Sequence, residues 1–196
     1  MTHEQLIALA TFAFVTSITP GPNNLMLMAS GANFGVRRTL PHMLGVALGF
    51  VLMAVLVGAG LERAFVLIPQ LYTVLKIASV AYLLYLAWKI ASAPPPGEAA
   101  RTGKPMTFLA AAFQWINPKA WAMALTAVSV YAPTRALASI VTIAVVFGIV
   151  NLPSVGVWAV LGQHMHQMLG EPARIPKFNI VMAALLIASL YPMLMH

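Results

Sequence analysis

Ile18-Thr19-Pro20-Gly21-Pro22-Asn23-Asn24 (ITPGPNN) lies in the middle of an apolar run otherwise long enough to cross a bilayer. A proline inside a helix removes one amide donor and clashes with the carbonyl four residues back. Pro20 and Pro22 should therefore release the carbonyls of Thr16 and Ile18. Unpaired carbonyls are tolerated at membrane depth only inside protein or beside a wet cavity. Proline is also the favoured first residue of a helix. Pro22 thus reads as the start of a second half-helix, whose first amide donors belong to Asn23, Asn24 and Leu25.

Working outward, the 196 residues are 61% hydrophobic and 8% charged, too apolar for the surface of a soluble domain of that size. Runs of about 20 apolar residues recur along the chain, which argues for helices and against a barrel of short alternating strands. The expected fold is an all-α integral membrane protein of six transmembrane helices, at residues 6–33, 40–60, 71–90, 106–132, 136–162 and 176–195. A single transporter domain covers residues 1–196, with one three-helix repeat at 1–91, a Pro- and Gly-rich cytoplasmic linker at 92–105 and a second repeat at 106–196. Three spans per repeat is an odd number, so repeats of shared fold must be inverted.

There is no cysteine, so disulfides play no part. The N-terminus Met1-Thr2-His3-Glu4-Gln5 lacks the basic patch of a signal peptide, and the first span is expected to be retained. The net charge of +7 is explained by membrane orientation rather than nucleic acid. Arg37, Arg38, Lys89, Arg101, Lys104, Arg174 and Lys177 follow spans one, three and five, against Arg63 and Arg135 on the other side. By the positive-inside rule the first set is cytoplasmic and both termini lie outside.

The second decisive stretch is Asn117-Pro118-Lys119, which interrupts span four where Pro20–Pro22 interrupts span one. Asn117 suits the N-cap and Pro118 the first helical position, with Lys119, Ala120 and Trp121 as amide donors. Paired interruptions of this kind mark a binding site near the midplane. Both half-helix N-termini face it, and such ends bind anions, carboxylates included. Lys119 lies near the bilayer centre, while Glu4, Glu62, Glu98 and Glu171 all fall at termini or in loops. A substrate carboxylate is its natural counter-ion. The absence of acidic residues also favours a small neutral zwitterion over a cationic amino acid. Its ammonium group would find acceptors on Thr16, Ile18 and Gln114 and on the side chains of Asn23, Asn117 and Asn151. The expected substrate site is Thr16, Thr19, Pro20, Gly21, Pro22, Asn23, Asn24, Gln114, Asn117, Pro118, Lys119 and Asn151.

At these residues the chain resembles the lysine exporter (LysE) superfamily, in its homoserine/threonine exporter (RhtB) branch. The resemblance rests on TPGPNN at Thr19–Asn24, Gly35 with Arg37-Arg38, Gly45-Val46-Ala47-Leu48-Gly49, the third span LKIASVAYLLYLAWKI (Leu75–Ile90) and Asn117-Pro118-Lys119-Ala120. It covers nearly the whole chain. Within the branch, TPGPNN and Leu86–Ser92 look most like cysteine and O-acetylserine exporters. The resemblance implies a multi-pass inner-membrane exporter of amino acids, driven by the proton gradient or membrane potential. Many members of the family have Asp at the position of Asn23 and an acidic residue at that of Phe50. Without them, Lys76, Lys119 and His42 are the titratable groups left within the spans.

Blander readings stand beside these. Pro20-Gly21-Pro22 would serve as a kink at a helix crossing, and Lys119 would pair with a carbonyl. Lys76 would snorkel to the interface. Gly45 and Gly49 would let helices pack closely, and Asn151 and Pro153 would line the cavity or hold a kink. His164-Met165-His166 follows span five, and its spacing does not put both imidazoles on one helix face, so no metal site is expected. Nor is a cofactor. A passive channel is the alternative to a carrier, and an enzyme is disfavoured because the spans hold no acid or nucleophile cluster. The partners are an amino-acid substrate and the lipid bilayer, with a homodimer left open.

Overall fold

A computed structural model describes residues 1–93, 110–169 and 174–191. Most of the expected linker, the first residues of the expected fourth span (106–109) and the last of the sixth (192–195) lie outside the described residues, as do Glu98, Arg101, Lys104 and Glu171. The described residues form helices α1 (His3–Ile18), α2 (Pro22–Phe34), α3 (Val36–Gly58), α4 (Arg63–Leu67), α5 (Gln70–Ala91), α6 (Ala110–Phe113), α7 (Pro118–Tyr131), α8 (Leu137–Leu169) and α9 (Ile175–Ala188). A 3-10 turn, Gln114–Ile116, separates α6 from α7.

Three described helices are long and apolar enough to cross a membrane: Val36–Gly58, Thr73–Ala91 and Leu137–Met168. α1 and α2 make a fourth if taken as one span, bent by 56° at the break. α9 is apolar but shorter. The surface confirms the environment. Leu44, Leu48 and Leu52 on α3, and Val141, Val145 and Ile149 on α8, are exposed at four-residue steps. These are apolar stripes facing outward, the reverse of a soluble helix.

α2 turns into α3 through one residue, Gly35, whose φ of +78° suits glycine. The Val36 amide beyond it donates to Gln163 Oε1 (2.7 Å). α3 begins four residues before the expected start and carries Pro41 inside it. α8 is also longer than expected. It runs unbroken through Pro153, which faces outward, and past Gly162 to include His164, Met165 and His166. These three residues therefore sit in the last turns of the helix rather than after it. Gly162 reads locally as a helix end, but here it is a contact residue. A Cβ on Gly162 would fall 2.0 Å from the Met28 carbonyl oxygen, and one on Gly31 would fall 2.1 Å from that of Ala159. Lipid tails give no hydrophobic drive for helix association, so this backbone approach is what joins α2 to α8. Gly162→Ala forces the helices apart, at about 1–3 kcal/mol for an overpacked contact. The expected result is a lower melting temperature in detergent, read by fluorescence-detected size exclusion, whereas an unchanged transition would refute the close crossing.

The helices pack in a regular scheme. α3 packs on α8 and α5 on α9, the broken α1–α2 segment packs on α8, and α6 and α7 pack on α3. Exchanging the first three segments for the last three leaves this set of partners unchanged. One core, around Phe50, Phe147 and Met53, joins α1, α3, α7 and α8. A second, around Leu83, Phe113 and Met182, joins α2, α5, α6 and α9. At the end away from Gly35, Arg135 donates to Glu62 Oε1 and ties the loop after α3 to the loop before α8. Burial pushes the Glu62 carboxyl up, and the hydrogen bond and charge of Arg135 more than reverse this, leaving it below the usual carboxylate range.

Candidate functional site at the two helix breaks

Both interruptions occur where proline chemistry puts them. α1 ends at Ile18 and α2 starts with Pro22 as its first residue. Asn117 caps α7, its side chain accepting from the Lys119 amide (3.1 Å), and Pro118 is the first helical residue. The first amides of a helix have no partner within it. The Leu25 amide reaches the Gly21 carbonyl, and the Trp121 amide that of Asn117. With Lys119 capped, the open donors of the two first turns are Asn23, Asn24 and Ala120.

The carbonyl end of α1 is covered by side chains from distant segments. Lys119 Nζ donates to the Thr19 carbonyl at 2.7 Å and approaches that of Pro20 at 3.4 Å. Asn24 Nδ2 donates to the Ser17 and Thr19 carbonyls, both at 2.8 Å. Trp158 Nε1 donates to the Ile18 carbonyl (3.0 Å) and Asn151 Nδ2 to Ser17 Oγ (3.0 Å). The Lys119 cation therefore rests against the negative end of the α1 dipole, which stabilises its charge. Two of the carbonyls expected to receive an ammonium group are engaged in this arrangement: Ile18 by Trp158, and Gln114 by the Asn117 amide (3.3 Å).

The breaks are joined directly. Asn23 Nδ2 donates to Gln114 Oε1 (3.0 Å), and Gln114 Nε2 donates to the Val46 carbonyl of α3 (2.8 Å). A cavity of about 30 Å³ lies at this junction. Thr16, Gly21, Asn23, Asn24, Gln114, Asn117, Lys119 and Asn151 line it, all of them expected site residues. Oδ1 of Asn23 and Oδ1 of Asn151 are buried there without a hydrogen-bond partner. Ser17, Val46 and Phe50 also line it and were not expected, nor was Trp158. Asn151 and Trp158 stand seven residues apart, two turns along one face of α8, a spacing that could have linked them.

Pro20, Pro22 and Pro118 line a second, larger cleft of about 1260 Å³ between α2, α5, α7 and α9. Thr19 lines neither and enters only through its carbonyl. Gly21, Asn117 and Lys119 border both spaces, so Lys119 stands at the threshold between a small polar chamber and a wide, mostly apolar cleft. A Cβ on Gly21 would lie 2.9 Å from Lys119 Cδ, so a larger residue there displaces the lysine side chain. Lys76 also lines the cleft. Among the described residues no group of three or more His, Cys, Asp or Glu forms a metal site.

The LysE type translocator family matches residues 14–190, which include both breaks. The chain belongs to the LysE family. The translocator is 33% identical to the cysteine/O-acetylserine efflux protein of Escherichia coli O1:K1, over 95% of this chain and 96% of that one. Identity is 34% with the protein of that description from Escherichia coli O157:H7 and 32% with that of strain K12, with the same coverage. No solved structure matches. The family and its apolar helices make the translocator a multi-pass membrane protein of the bacterial inner membrane, and a transporter rather than an enzyme.

Proposed function

We propose that the translocator exports small neutral amino acids or their derivatives, of the cysteine and O-acetylserine class, from the cytoplasm. The observation that carries this reading is the meeting of the two breaks, where Lys119 of one contacts the Thr19 carbonyl of the other. The substrate carboxylate takes the open amides of Asn23, Asn24 and Ala120 together with Lys119. The ammonium group takes Oδ1 of Asn23 and Oδ1 of Asn151, which have no other partner. A cavity of about 30 Å³ holds one or two water molecules and no amino acid. The substrate therefore enters from the cleft as Lys119 leaves the Thr19 carbonyl.

The proposal includes six spans in two inverted repeats, with both termini outside. The unchanged partner scheme under exchange of the two sets of helices supports it, as does the excess of basic residues near the Gly35 end. The efflux proteins among the relatives favour a carrier over a passive channel. Counterflow tests the difference. Proteoliposomes loaded with unlabelled O-acetylserine take up external labelled O-acetylserine transiently above equilibrium if the protein is a carrier. Equilibration without overshoot would reject the carrier.

A further inference from the structure

His42 is fully buried in α3, and neither ring nitrogen has a hydrogen-bond partner. A neutral imidazole has one donor and one acceptor, and burying both unpaired is unfavourable. An apolar residue of that size would fill the position without this cost. The two buried hydroxyls nearest in α3 and α2 are paired. Thr39 Oγ1 donates to the Gly35 carbonyl (2.9 Å) and lies 2.9 Å from Ser30 Oγ, which must then be the donor between them.

The location of His42 points to a role. His42, Val46 and Phe50 follow at four-residue steps and share a face of α3. Val46 and Phe50 line the central cavity, and the Val46 carbonyl holds Gln114, which holds Asn23. His42 is one turn further on, about 6 Å along the axis. Thr39 and Ser30 continue from it toward Gly35. His42 thus stands between the proposed ammonium site and the polar groups leading to the Gly35 end. Charged and titratable groups on the surrounding elements are few. α2, α6 and the 3-10 turn carry none; α7 brings Lys119 at the cavity and Tyr131 at its far end; α8 brings His164 and His166 in its last turns; α3 itself has Arg37 and Arg38 in its first turn. No carboxylate stands on any of these elements. Among the described residues of the spans, His42 is the one fully buried imidazole.

We propose that His42 carries the proton exchanged for substrate, an inference that rests on the exporter reading above. One proton binds the free imidazole nitrogen while the site faces outside and leaves to the cytoplasm after the site has turned. One zwitterion moves out for each proton moved in. The coupling is electrostatic: an imidazolium one turn from the site repels the substrate ammonium in this low-dielectric interior, so the protein holds one or the other.

The test uses the purified full chain in proteoliposomes with labelled O-acetylserine. The wild type shows counterflow at equal pH on both sides and concentrative accumulation under an imposed pH gradient. His42→Gln is expected to keep counterflow within about threefold and to lose gradient-driven accumulation by at least tenfold, with His42→Asn behaving alike. Accumulation by His42→Gln equal to wild type would overturn the proposal, as would a wild type that exchanges substrate but ignores the pH gradient. A wild type without counterflow would instead remove the exporter reading, and this proposal with it. Should neither variant fold, the wild type decides: accumulation that follows the imposed pH gradient supports the proposal, and substrate exchange indifferent to that gradient overturns it.

Discussion

Lys119→Ala protein inserts and purifies normally but exchanges no measurable substrate. The side chain contributes little to the helices that surround it, since its amine meets only the Thr19 and Pro20 carbonyls and its stem lies against Gly21. α7 keeps its Asn117 cap, which acts on the Lys119 backbone amide, so the half-helix survives the substitution. What disappears is the one cation that borders the central cavity among the described residues. Truncating one partner of a buried charge pair costs about 2–5 kcal/mol. At 1.4 kcal/mol per decade that is roughly a 30- to 4,000-fold loss of affinity. Counterflow in proteoliposomes reads this directly, with size exclusion as the folding control. Lys119→Arg is the informative companion: it keeps the charge but brings a larger head to the wall built by Gly21, and should recover only part of the activity. Normal exchange by well-folded Lys119→Ala protein would reject the site.

Linking α2 to α9 stops the transporter. At the Gly35 end these helices are joined by a reciprocal amide pair, Asn33 Nδ2 to Asn179 Oδ1 at 2.9 Å and Asn179 Nδ2 to Asn33 Oδ1 at 3.3 Å. Under exchange of the two sets of helices the corresponding pair is α7 with α5. There the large cleft intervenes, lined by Trp121 and Leu125 of α7 and by Leu75 and Ser79 of α5. The molecule is closed at one end and parted at the other, the asymmetry that alternating access requires. The opposite state then needs α2 and α9 to separate. The chain has no cysteine, so a double variant, Asn33→Cys with Asn179→Cys, reacts only where intended. A short bis-methanethiosulfonate cross-linker should abolish counterflow and a reductant should restore it. The reduced sample controls for the loss of the amide pair. Full exchange by cross-linked protein would show that this end does not open.

The two breaks were legible because proline and glycine act on their own backbone and its nearest neighbours. Asn117 was legible as a cap for the same reason, and most expected site residues do line the central cavity. The expectations that changed were those where a distant segment decides. The fifth span was expected to end at Gly162, whereas α8 runs on through His164 and His166 and sets Gly162 against Met28. The Ile18 and Gln114 carbonyls appear available to a substrate until Trp158 and the Asn117 amide are found on them.

Sequence alone determined that this is an apolar helical membrane protein with interruptions at Thr19–Pro22 and at Asn117–Pro118. Hydropathy is a property of composition, and a missing amide donor is a property of one residue, so neither needs a fold to be read. Only the tertiary structure decided that Lys119 rests on the end of α1, that the chamber between the breaks is too small for a substrate, and that His42 is buried with both ring nitrogens unpaired. Those facts depend on which segments approach one another, and the close contacts that set this, such as Gly31 on Ala159, join residues more than a hundred positions apart.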